Sequence, residues 1–393
     1  MNIIFHRYGN ICEPDVLQVF KDWGLQVFED DLEITQKNIP ADIRIQQIAD
    51  ILYKHKISFI FSINYFPYLS EICERFHILY VCWSVDCPVL ELFSKTVKNA
   101  CNRIFLFDYA QYQRFWPANP DCIFYLPLAA NVERLDSVRS SITDSDIAKY
   151  SAQVAFVGSL YNHNTALKNL VLSEHGRGYL DGIMNAQYEI TNCNIIEELL
   201  TPSILTAAKK SIPCFPCLPD SYENMDAYTF ANYYMNPYIS SLERIRTLSD
   251  ISVYPLSLYT RSDTSPLSGS NISFKGGVST LTELPKVFHL GKINLNITIR
   301  SIQTGIPQRI WDVLGCQGFL LTNYREELSE YFEIGRDLDC YETLEELNAK
   351  IDYYLSHDDE RRQIALHGYQ TVKQHHTWHL RMASMLQIIN RNL

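Results

Sequence analysis

The stretch GIPQRIWDVLGCQGFLLTN, from Gly305 to Asn323, predicts a short helix followed at once by a buried strand. Pro307 suits the first turn of a helix, because its missing N–H costs no hydrogen bond there. Apolar residues then recur at helical spacing until Gly315 and Gly318 bracket a break. The run FLL after the break is typical of a strand buried on both faces in a parallel sheet. Together the helix and the strand make half of an α/β unit.

Three polar residues around this helix start, Gln303, Arg309 and Asp312, have no evident structural role. A guanidinium at a helix N-terminus is electrostatically misplaced, because the helix dipole there favours anions. A bound anion such as a diphosphate would explain Arg309. Asp312 either contributes to the same ligand site or is a first-turn carboxylate stabilised by the helix N-terminus. A ligand site at the start of this helix is therefore the first hypothesis.

The same alternation of strand and helix extends along most of the chain. Residues 1–130 contain short apolar runs joined by helical segments, namely NIIFH, ISFIFSIN, ILYVCWSV, RIFLFD and IFYLPLA. A second series begins at AQVAFVGS, pauses over a helical stretch rich in Tyr and Asn, and resumes from ISVYPLSLY to DLDCY. Short strands that alternate with helices predict an α/β fold with two doubly wound parallel sheets in series.

We expect two Rossmann-like domains, at residues 1–150 and 151–376, with a helical insertion at about residues 165–248. The polar run from Ser137 to Ser151 predicts a linker between them. Two such sheets create a cleft, and open α/β sheets bind ligands beyond the carboxyl ends of their strands. Residues directly after predicted strands are therefore the candidates for a site.

Composition and charge narrow the class of protein. With 47% apolar and 20% charged residues the chain is a folded protein, and its 393 residues suit two domains. The net charge of −11 argues against nucleic-acid binding. Most of the 11 cysteines lie inside apolar runs, which favours free thiols in a reducing cytoplasm. The start MNIIFHRYGN lacks the features of a signal peptide, and no apolar window reaches the roughly 18 residues of a membrane span, so we expect a cytoplasmic protein.

Further candidates in the second domain follow or line its predicted strands. Gly158 and Ser159 in VAFVGSLYN form a turn whose backbone N–H groups could face a phosphate, although an ordinary turn explains them equally well. Lys292 is a second candidate cation for the same anion, or a solvated strand start. Asn294 and Asn296 alternate within a strand, where asparagine is disfavoured, so we expect them to line a ligand cleft. No GxGxxG motif follows a strand, which disfavours an NAD or FAD cofactor.

Three residues of the first domain are candidate bases toward a hydroxyl group. His6 and Glu13 lie in IFHRYGNICEPD, after the first strand, and Asp86 lies in SVDCP, after a later strand. Glu13 could instead favour the start of the following helix, and Asp86 could form a turn before Pro88. The residues alone do not choose among the three bases.

The block KINLNITIRSIQTGIPQRIWDVLGCQGFLLTNYREELSEYF resembles the C-terminal half of CgeB-like glycosyltransferases, which belong to the two-Rossmann GT-B superfamily. The residues that match the family pattern in order are Arg309, Asp312, Gly318, Thr322, Glu326 or Glu327, and Leu328, with HHTWHLRM at the end. FHRYGNICEPD and CWSVDCP resemble the N-terminal half. The resemblance covers most of the chain and implies a glycosyltransferase with a nucleotide-sugar donor, which we expect to be a UDP-sugar.

The resemblance also implies roles for single residues. In many retaining GT-B enzymes two acids stand with seven residues between them, and the second, matched by Asp312, accepts hydrogen bonds from the nucleotide ribose. The first acid falls on Thr304, where this sequence departs from the pattern. The departure leaves the stereochemistry open, and it keeps a catalytically silent sugar-nucleotide-binding subunit as an alternative. A nucleotide-sugar epimerase shares the architecture and is the other alternative. The final helix, residues 377–393, is expected to pack back on the N-terminal domain.

We expect no cofactor and no required metal. DSD in the polar run and DLD before Tyr341 imitate the metal-binding DxD of single-Rossmann glycosyltransferases, but neither lies in the required context.

Gln303 completes the predicted donor site, beside Lys292 and the strand asparagines. CgeB-like relatives imply an acceptor that is a protein such as flagellin or a surface polysaccharide.

Overall fold

The computed structural model describes residues 1–36, 39–163, 166–190 and 193–391. They divide into two compact units, each made of more than one piece of chain. The first unit comprises Met1–Leu128, Cys217–Met225 and Trp378–Leu393, and the second comprises Ala129–Pro216 and Asp226–Thr377.

The first unit contains a six-stranded parallel sheet in the order β2-β1-β3-β4-β5-β6. Its central strands are buried on both faces, as the unbroken apolar runs predict. The sequence did not predict β2, because this strand lies at the edge of the sheet and its residues QVFED are only partly buried. The strands are β1 (Asn2–His6), β2 (Gln26–Asp30), β3 (Phe59–Ile63), β4 (Leu79–Ser84), β5 (Asn102–Leu106) and β6 (Ile123–Tyr125).

Five α-helices among the described residues follow strands of this sheet or connect them. They are α1 (Glu13–Asp22), α2 (Leu32–Thr35), α3 (Ala41–Lys54), α4 (Pro67–Phe76) and α5 (Tyr109–Phe115). Phe20 of α1 meets Phe61 of β3 edge to face, with ring centroids 5.2 Å apart. The side chain of Asp108 caps α5 by accepting a hydrogen bond from the Gln111 N–H at 3.0 Å. Apolar helix faces and capping residues thus fix the connections that the sequence predicts.

The second unit contains a second six-stranded parallel sheet, in the order β12-β11-β10-β7-β8-β9. Its apolar core includes Val154, Leu258, Leu295 and Leu321. The sequence did not predict β9, which is a three-residue edge strand with mostly exposed residues. The strands are β7 (Ala152–Val157), β8 (Leu256–Tyr259), β9 (Ile272–Phe274), β10 (Gly291–Asn296), β11 (Leu320–Asn323) and β12 (Asp339–Tyr341).

Twelve α-helices belong to the described part of the second unit. They are α6 (Val132–Ser140), α7 (Asp144–Tyr150), α8 (Glu174–Glu189), α9 (Ile196–Leu199), α10 (Pro202–Ser211), α11 (Asp226–Thr229), α12 (Asn236–Asp250), α13 (Leu284–Leu290), α14 (Gln308–Gly315), α15 (Leu328–Tyr331), α16 (Leu344–Ser356) and α17 (Asp358–His375). The predicted helix and strand in GIPQRIWDVLGCQGFLLTN are α14 and β11, and Pro307 is the N-cap rather than part of the first turn.

The polar run that predicted a linker is mostly helical. Thr143 and Asp146 form a capping box at the start of α7, in which each side chain accepts a hydrogen bond from the backbone N–H of the other residue. Asp146 also pairs with Lys286 of α13 at 2.9 Å. The prediction of a linker was wrong, because polar residues in this run serve as helix caps and as ion-pair partners.

The last helix, α18 (Trp378–Arg391), belongs to the first unit. The Trp378 ring meets Trp83 of β4 at 4.9 Å, and both side chains are almost completely buried. His379 pairs with Asp22 at the end of α1 at 3.0 Å. The first unit is therefore completed by the end of the described chain. None of the described helices combines the length and the apolar character needed to cross a membrane.

Candidate functional site

A cavity of about 520 Å³ opens in the second unit at the carboxyl ends of β7 and β8. Gly158 and Ser159, directly after β7, line one side, and the loop from Thr260 to Asp263, directly after β8, lines another. Arg309, near the start of α14, also lines it. We call it the strand-end cavity. Its position is where open parallel sheets bind ligands.

Arg309 brings a cation with unused hydrogen-bonding capacity to this cavity. The guanidinium carbon lies 5.2 Å from the centroid of the Phe288 ring. The Nη1 atom is buried and has no hydrogen-bond partner among the described residues. Burial lowers the pKa of the guanidinium, the nearby Asp312 carboxylate raises it, and Arg244 lowers it again. Arginine remains protonated near neutral pH all the same, so this buried donor suits an anion.

The turn after β7 is held in place by its own hydrogen bonds. The Gly158 N–H donates to the Tyr259 carbonyl at 3.1 Å, and the Leu160 N–H donates to the Ser262 hydroxyl at 2.8 Å. The Tyr161 N–H donates to the Ser159 hydroxyl at 3.0 Å. Among residues 158 to 161, the Ser159 N–H is thus the amide for which the described part of the chain offers no acceptor. The turn can offer one backbone donor to a ligand, where the sequence predicted two.

Arg244 of α12 supports this turn, and the sequence analysis missed it. Its guanidinium donates to the Ser159 carbonyl at 2.5 Å and also to the Ile297 carbonyl. The same group lies 4.6 Å from the centroid of the Tyr161 ring. A side chain at Gly158 would approach Phe156 to 3.2 Å and Arg244 to 3.4 Å, which explains the glycine. Arg244 lies inside the expected helical insertion, where no strand-end pattern marks it.

Asp312 lies in the second turn of α14, one turn beyond Arg309, and it is buried. Its Oδ1 atom accepts a hydrogen bond from the Gln308 side chain at 2.9 Å. The reading of Asp312 as a first-turn carboxylate was therefore wrong. The structure brings Asp312 close enough to Arg309 for the two charges to interact.

A buried carboxylate lies beside Thr304, where the resemblance expects an acid. The Thr304 hydroxyl donates to Glu327 Oε1 at 2.7 Å, and Glu327 is 2% exposed. Gln303 precedes Thr304 in the half-buried loop before α14. The carboxylate beside Thr304 thus comes from the segment after β11. It lies 23 residues further along the chain, so a local motif around Thr304 does not show it.

The remaining second-unit candidates do not line the strand-end cavity. Asn294 is buried within β10, where its side-chain N–H group donates to the Phe288 carbonyl at 2.8 Å. Asn296, at the carboxyl end of β10, donates to the hydroxyls of Thr298 and Thr322 at 3.0 Å and 2.9 Å. Lys292 lies near the start of the same strand, at the opposite edge of the sheet from Arg309, and pairs with Asp358 at 3.3 Å. The structure therefore separates Lys292 from Arg309, because Lys292 lies where the parallel strands begin and Arg309 lies where they end.

In the first unit, Glu13 anchors the loop after β1. Its carboxylate accepts hydrogen bonds from the backbone N–H groups of Tyr8, Gly9 and Asn10 at 2.9–3.0 Å. The Arg7 side chain approaches it at 3.4 Å, and Glu13 is completely buried. With these partners Glu13 shapes the loop, and its lone pairs are not available to a hydroxyl.

His6 is the second buried candidate base. Its Nδ1 atom lies 2.7 Å from Asp30 Oδ2, and its Nε2 atom lies 3.2 Å from the Tyr68 hydroxyl. The Phe66 ring meets the imidazole edge to face at 4.7 Å. His6 and Asp30 form an oriented pair at the ends of β1 and β2, but the imidazole itself is only 1% exposed.

Asp86 is the exposed candidate base. It follows β4, and its Oδ2 atom accepts a hydrogen bond from the Asn64 side chain at 2.6 Å. Asn64 also donates to the Tyr8 hydroxyl at 2.7 Å. Burial and then the Asp86 charge raise the pKa of Tyr8 well above its usual range. The structure therefore brings Asp86 and the Glu13-anchored loop together at the carboxyl edge of the first sheet.

Three of the four acids in the two DxD-like sequences have structural partners. Asp146 belongs to the α7 capping box, and Asp337 accepts a hydrogen bond from the Glu333 N–H at 3.1 Å. Asp339 pairs with Lys350 at 2.9 Å and accepts a hydrogen bond from the Tyr354 hydroxyl at 2.7 Å. Among the residues that the structure describes, no group of three or more acidic, His or Cys side chains is arranged to hold a metal ion.

Solved structures share the fold along the whole chain. HepE of Anabaena, in complex with UDP and glucose, is 9% identical with a TM-score of 0.54, and 100% of each chain is covered. A glycosyltransferase from Rickettsia africae is 12% identical with a TM-score of 0.55, covering 100% of this chain and 98% of that one. BGT of phage T4, in complex with its UDP-glucose substrate, is 8% identical with a TM-score of 0.52, covering 100% and 99%.

The sequence itself matches a family over part of its length. The family model described as glycosyl transferase-like matches residues 242–387, a range that includes α14 and Arg309. No curated protein gives a significant match to the chain. The chain therefore has the GT-B glycosyltransferase fold, and its residues 242–387 match the glycosyl transferase-like family.

Proposed function

We propose that the chain is a glycosyltransferase that transfers a sugar from a UDP-sugar to a hydroxyl group of an acceptor. The observation that carries the proposal is Arg309, a cation that lines the strand-end cavity and whose buried Nη1 has no hydrogen-bond partner among the described residues. A diphosphate offers oxyanions that satisfy such a donor. The solved structures of similar fold that contain UDP or UDP-glucose favour a uridine diphosphate as the donor's leaving group.

In this proposal the second unit binds the donor. Arg309, the positive end of α14 and the Ser159 N–H offset the charge that develops on the departing diphosphate. Asp312 accepts hydrogen bonds from the nucleotide ribose, and Glu327 beside Thr304 supplies the carboxylate that the first acid position lacks. Arg244 keeps the turn after β7 in position. No metal ion is required, because cationic side chains and a helix terminus carry the charge.

The first unit supplies the base. Asp86 is the preferred candidate because it is exposed at the carboxyl edge of the sheet and makes a single side-chain hydrogen bond in the described part of the chain. Its carboxylate accepts the acceptor's proton as the new glycosidic bond forms. His6, oriented by Asp30, is the second candidate, and Glu13 positions the loop beside Asp86.

The resemblance to CgeB-like enzymes guides the choice of acceptor. We infer a surface polysaccharide or a protein such as flagellin, because the resemblance extends over sequence blocks in both halves of the chain. Either acceptor would offer a free hydroxyl group to receive the sugar.

The first test is thermal stabilisation by a panel of UDP-, GDP-, ADP- and dTDP-sugars, because ligands of the native state raise the unfolding temperature by mass action. We expect a UDP-sugar to raise Tm and Arg309→Ala to abolish that rise. If no nucleotide sugar changes Tm at millimolar concentration, the proposal is wrong. Product analysis by mass spectrometry then follows the sugar of the stabilising donor.

A catalytically silent donor-binding subunit is the second candidate, since Thr304 replaces the first expected acid. It predicts stabilisation by the donor with neither transfer nor hydrolysis. Thr304→Glu separates the two functions. If the native chain is an active transferase, this substitution disturbs the Thr304–Glu327 contact and lowers turnover, whereas a silent subunit has no turnover to lose.

A further inference from the structure

A second cavity, of about 660 Å³, lies at the other edge of the second unit's sheet, where the strands begin. The starts of β7 and β10 line it, together with Gln317 and Phe319 just before β11. Arg361, Arg362 and Ala365 of α17 complete the wall. We call it the strand-start cavity. It shares no lining residue with the strand-end cavity.

Positive charge predominates in this cavity. Lys292, Arg361 and Arg362 line it, and no acidic side chain is among its described lining residues. All three cations share one neighbouring carboxylate, Asp358, at 3.3 Å, 2.6 Å and 3.9 Å respectively. One negative charge against three positive charges leaves a local excess of two. In a chain with a net charge of −11 this is a local reversal of sign.

One of the cations that line the cavity is nearly buried and held in place by other groups of the chain. The Arg361 side chain is 6% exposed, and it is held by the Tyr354 carbonyl at 3.1 Å as well as by Asp358. Ser151 and Gln153 add hydrogen-bonding groups, while Leu290 and Phe319 add apolar surface. The volume falls within the range of small-molecule sites, roughly 300–1,000 Å³. The cavity therefore suits an anion that is attached to an organic group. The excess positive charge and the fixed Arg361 guanidinium match the anion, and the apolar wall matches the organic group.

We propose that the strand-start cavity binds a small phosphorylated metabolite with two or more negative charges, at a site separate from the donor site. The bidentate fork of Arg361 and the point charge of Lys292 contact the phosphate oxygens, and the apolar wall contacts the organic part. Gln317, which lines the cavity, lies two residues beyond the end of α14, while Arg309 lies near the start of the same helix. The proposal does not depend on the donor or on transfer activity.

Titration calorimetry with inorganic pyrophosphate tests the proposal on the full chain. Because pyrophosphate could also enter the strand-end cavity, the titration is done on wild type and on Arg309→Ala. We expect one pyrophosphate-binding event of the wild type to persist in Arg309→Ala. The affinity of that event should fall at least tenfold in the double variant Lys292→Glu/Arg362→Glu. Arg336→Glu is the matched control, since Arg336 is exposed and lies elsewhere, and it should bind like wild type.

If Arg309→Ala does not fold, wild type saturated with UDP replaces it. Binding that is lost in Arg309→Ala or under UDP, or that is unchanged in the double variant, overturns the proposal. Ribose 5-phosphate and AMP then identify the organic part. Tighter binding of either than of pyrophosphate supports the proposed class, and weaker binding of both contradicts the role of the apolar wall.

Discussion

Arg309 lies near a helix N-terminus and lines the strand-end cavity, and its buried Nη1 has no hydrogen-bond partner among the described residues. We expect Arg309→Ala to lower kcat and kcat/KM together by about 10²-fold or more, because its contact strengthens as charge develops on the leaving diphosphate. Arg309→Lys should recover only part of the loss, since an ammonium cannot reproduce the bidentate fork. Initial transfer rates and Tm of the same variants measure both effects.

A matched control separates catalysis from surface charge. Arg336 forms a pair with Glu333 in which both side chains are exposed, and exposed ion pairs contribute little to folding free energy. Arg336→Ala should therefore leave turnover and Tm near wild type. An Arg309→Ala enzyme that folds and turns over normally would leave Arg309 without a role in transfer.

Asp86 and Glu13 are both carboxylates near one sheet edge, but their surroundings differ. Asp86→Asn should reduce the transfer rate by roughly 10²–10⁴-fold and leave UDP binding unchanged, because it removes a base and no donor contact. Glu13→Gln should instead lower Tm, because a neutral amide cannot hold three backbone N–H groups and Arg7 as well. Transfer rates, calorimetry with UDP and thermal melts decide between the two patterns. Normal transfer by Asp86→Asn would move the search to His6.

Some of these residues could be predicted from the sequence, and some could not. Arg309 was identifiable because a cation near a helix start conflicts with the helix dipole, and that conflict is visible in a few residues. Glu13 and Lys292 were also singled out, but their partners could not be predicted, because the loop N–H groups that Glu13 binds and the Asp358 that pairs with Lys292 meet them only in the folded chain. The resemblance named Glu326 or Glu327, but not the contact of Glu327 with Thr304, which joins distant parts of the chain. Arg244 also reaches its loop from a distant part of the chain, so local spacing gives no signal for it.

At the scale of elements, buried strands were predictable and edge strands were not. The inner strands are continuous apolar runs, since helices cover both faces of a parallel sheet. The edge strands β2 and β9 are short, polar and partly exposed, so they carry no such run. The capping box of α7 was present in the sequence, but its Ser- and Asp-rich surroundings are also typical of loops.

The helix α18 gives a prediction about stability. Trp378→Ala should cost roughly 3–5 kcal/mol of folding free energy in the first unit, because it removes a buried indole packed on Trp83. Leu380→Ala, on the exposed face of the same helix, is the control and should cost little. Deletion from Trp378 onward should cause aggregation, measured by gel filtration and light scattering. A truncated chain that stays monomeric with an unchanged Tm would contradict the buried role of this helix.

For the whole molecule, the proposed charge compensation predicts activity without divalent cations. Arg309, the α14 terminus and the Ser159 amide are the groups expected to face the diphosphate, so transfer should continue in excess EDTA. The assay compares rates with EDTA, with added Mg²⁺ and with added Mn²⁺. A complete loss in EDTA that Mn²⁺ restores would mean that a metal ion carries the charge, and it would require a different site.

The three-piece composition of the first unit also affects how the protein is made. Residues 1–128 leave the ribosome early, but Trp83 meets Trp378 only after the whole second unit has been synthesised. At roughly 5–20 residues per second that interval lasts tens of seconds. During it, the nascent first unit exposes an indole and neighbouring apolar side chains that a chaperone can recognise. We therefore expect the yield of soluble protein to depend on chaperone supply and on translation speed between residues 129 and 377 more than on the stability of the finished fold.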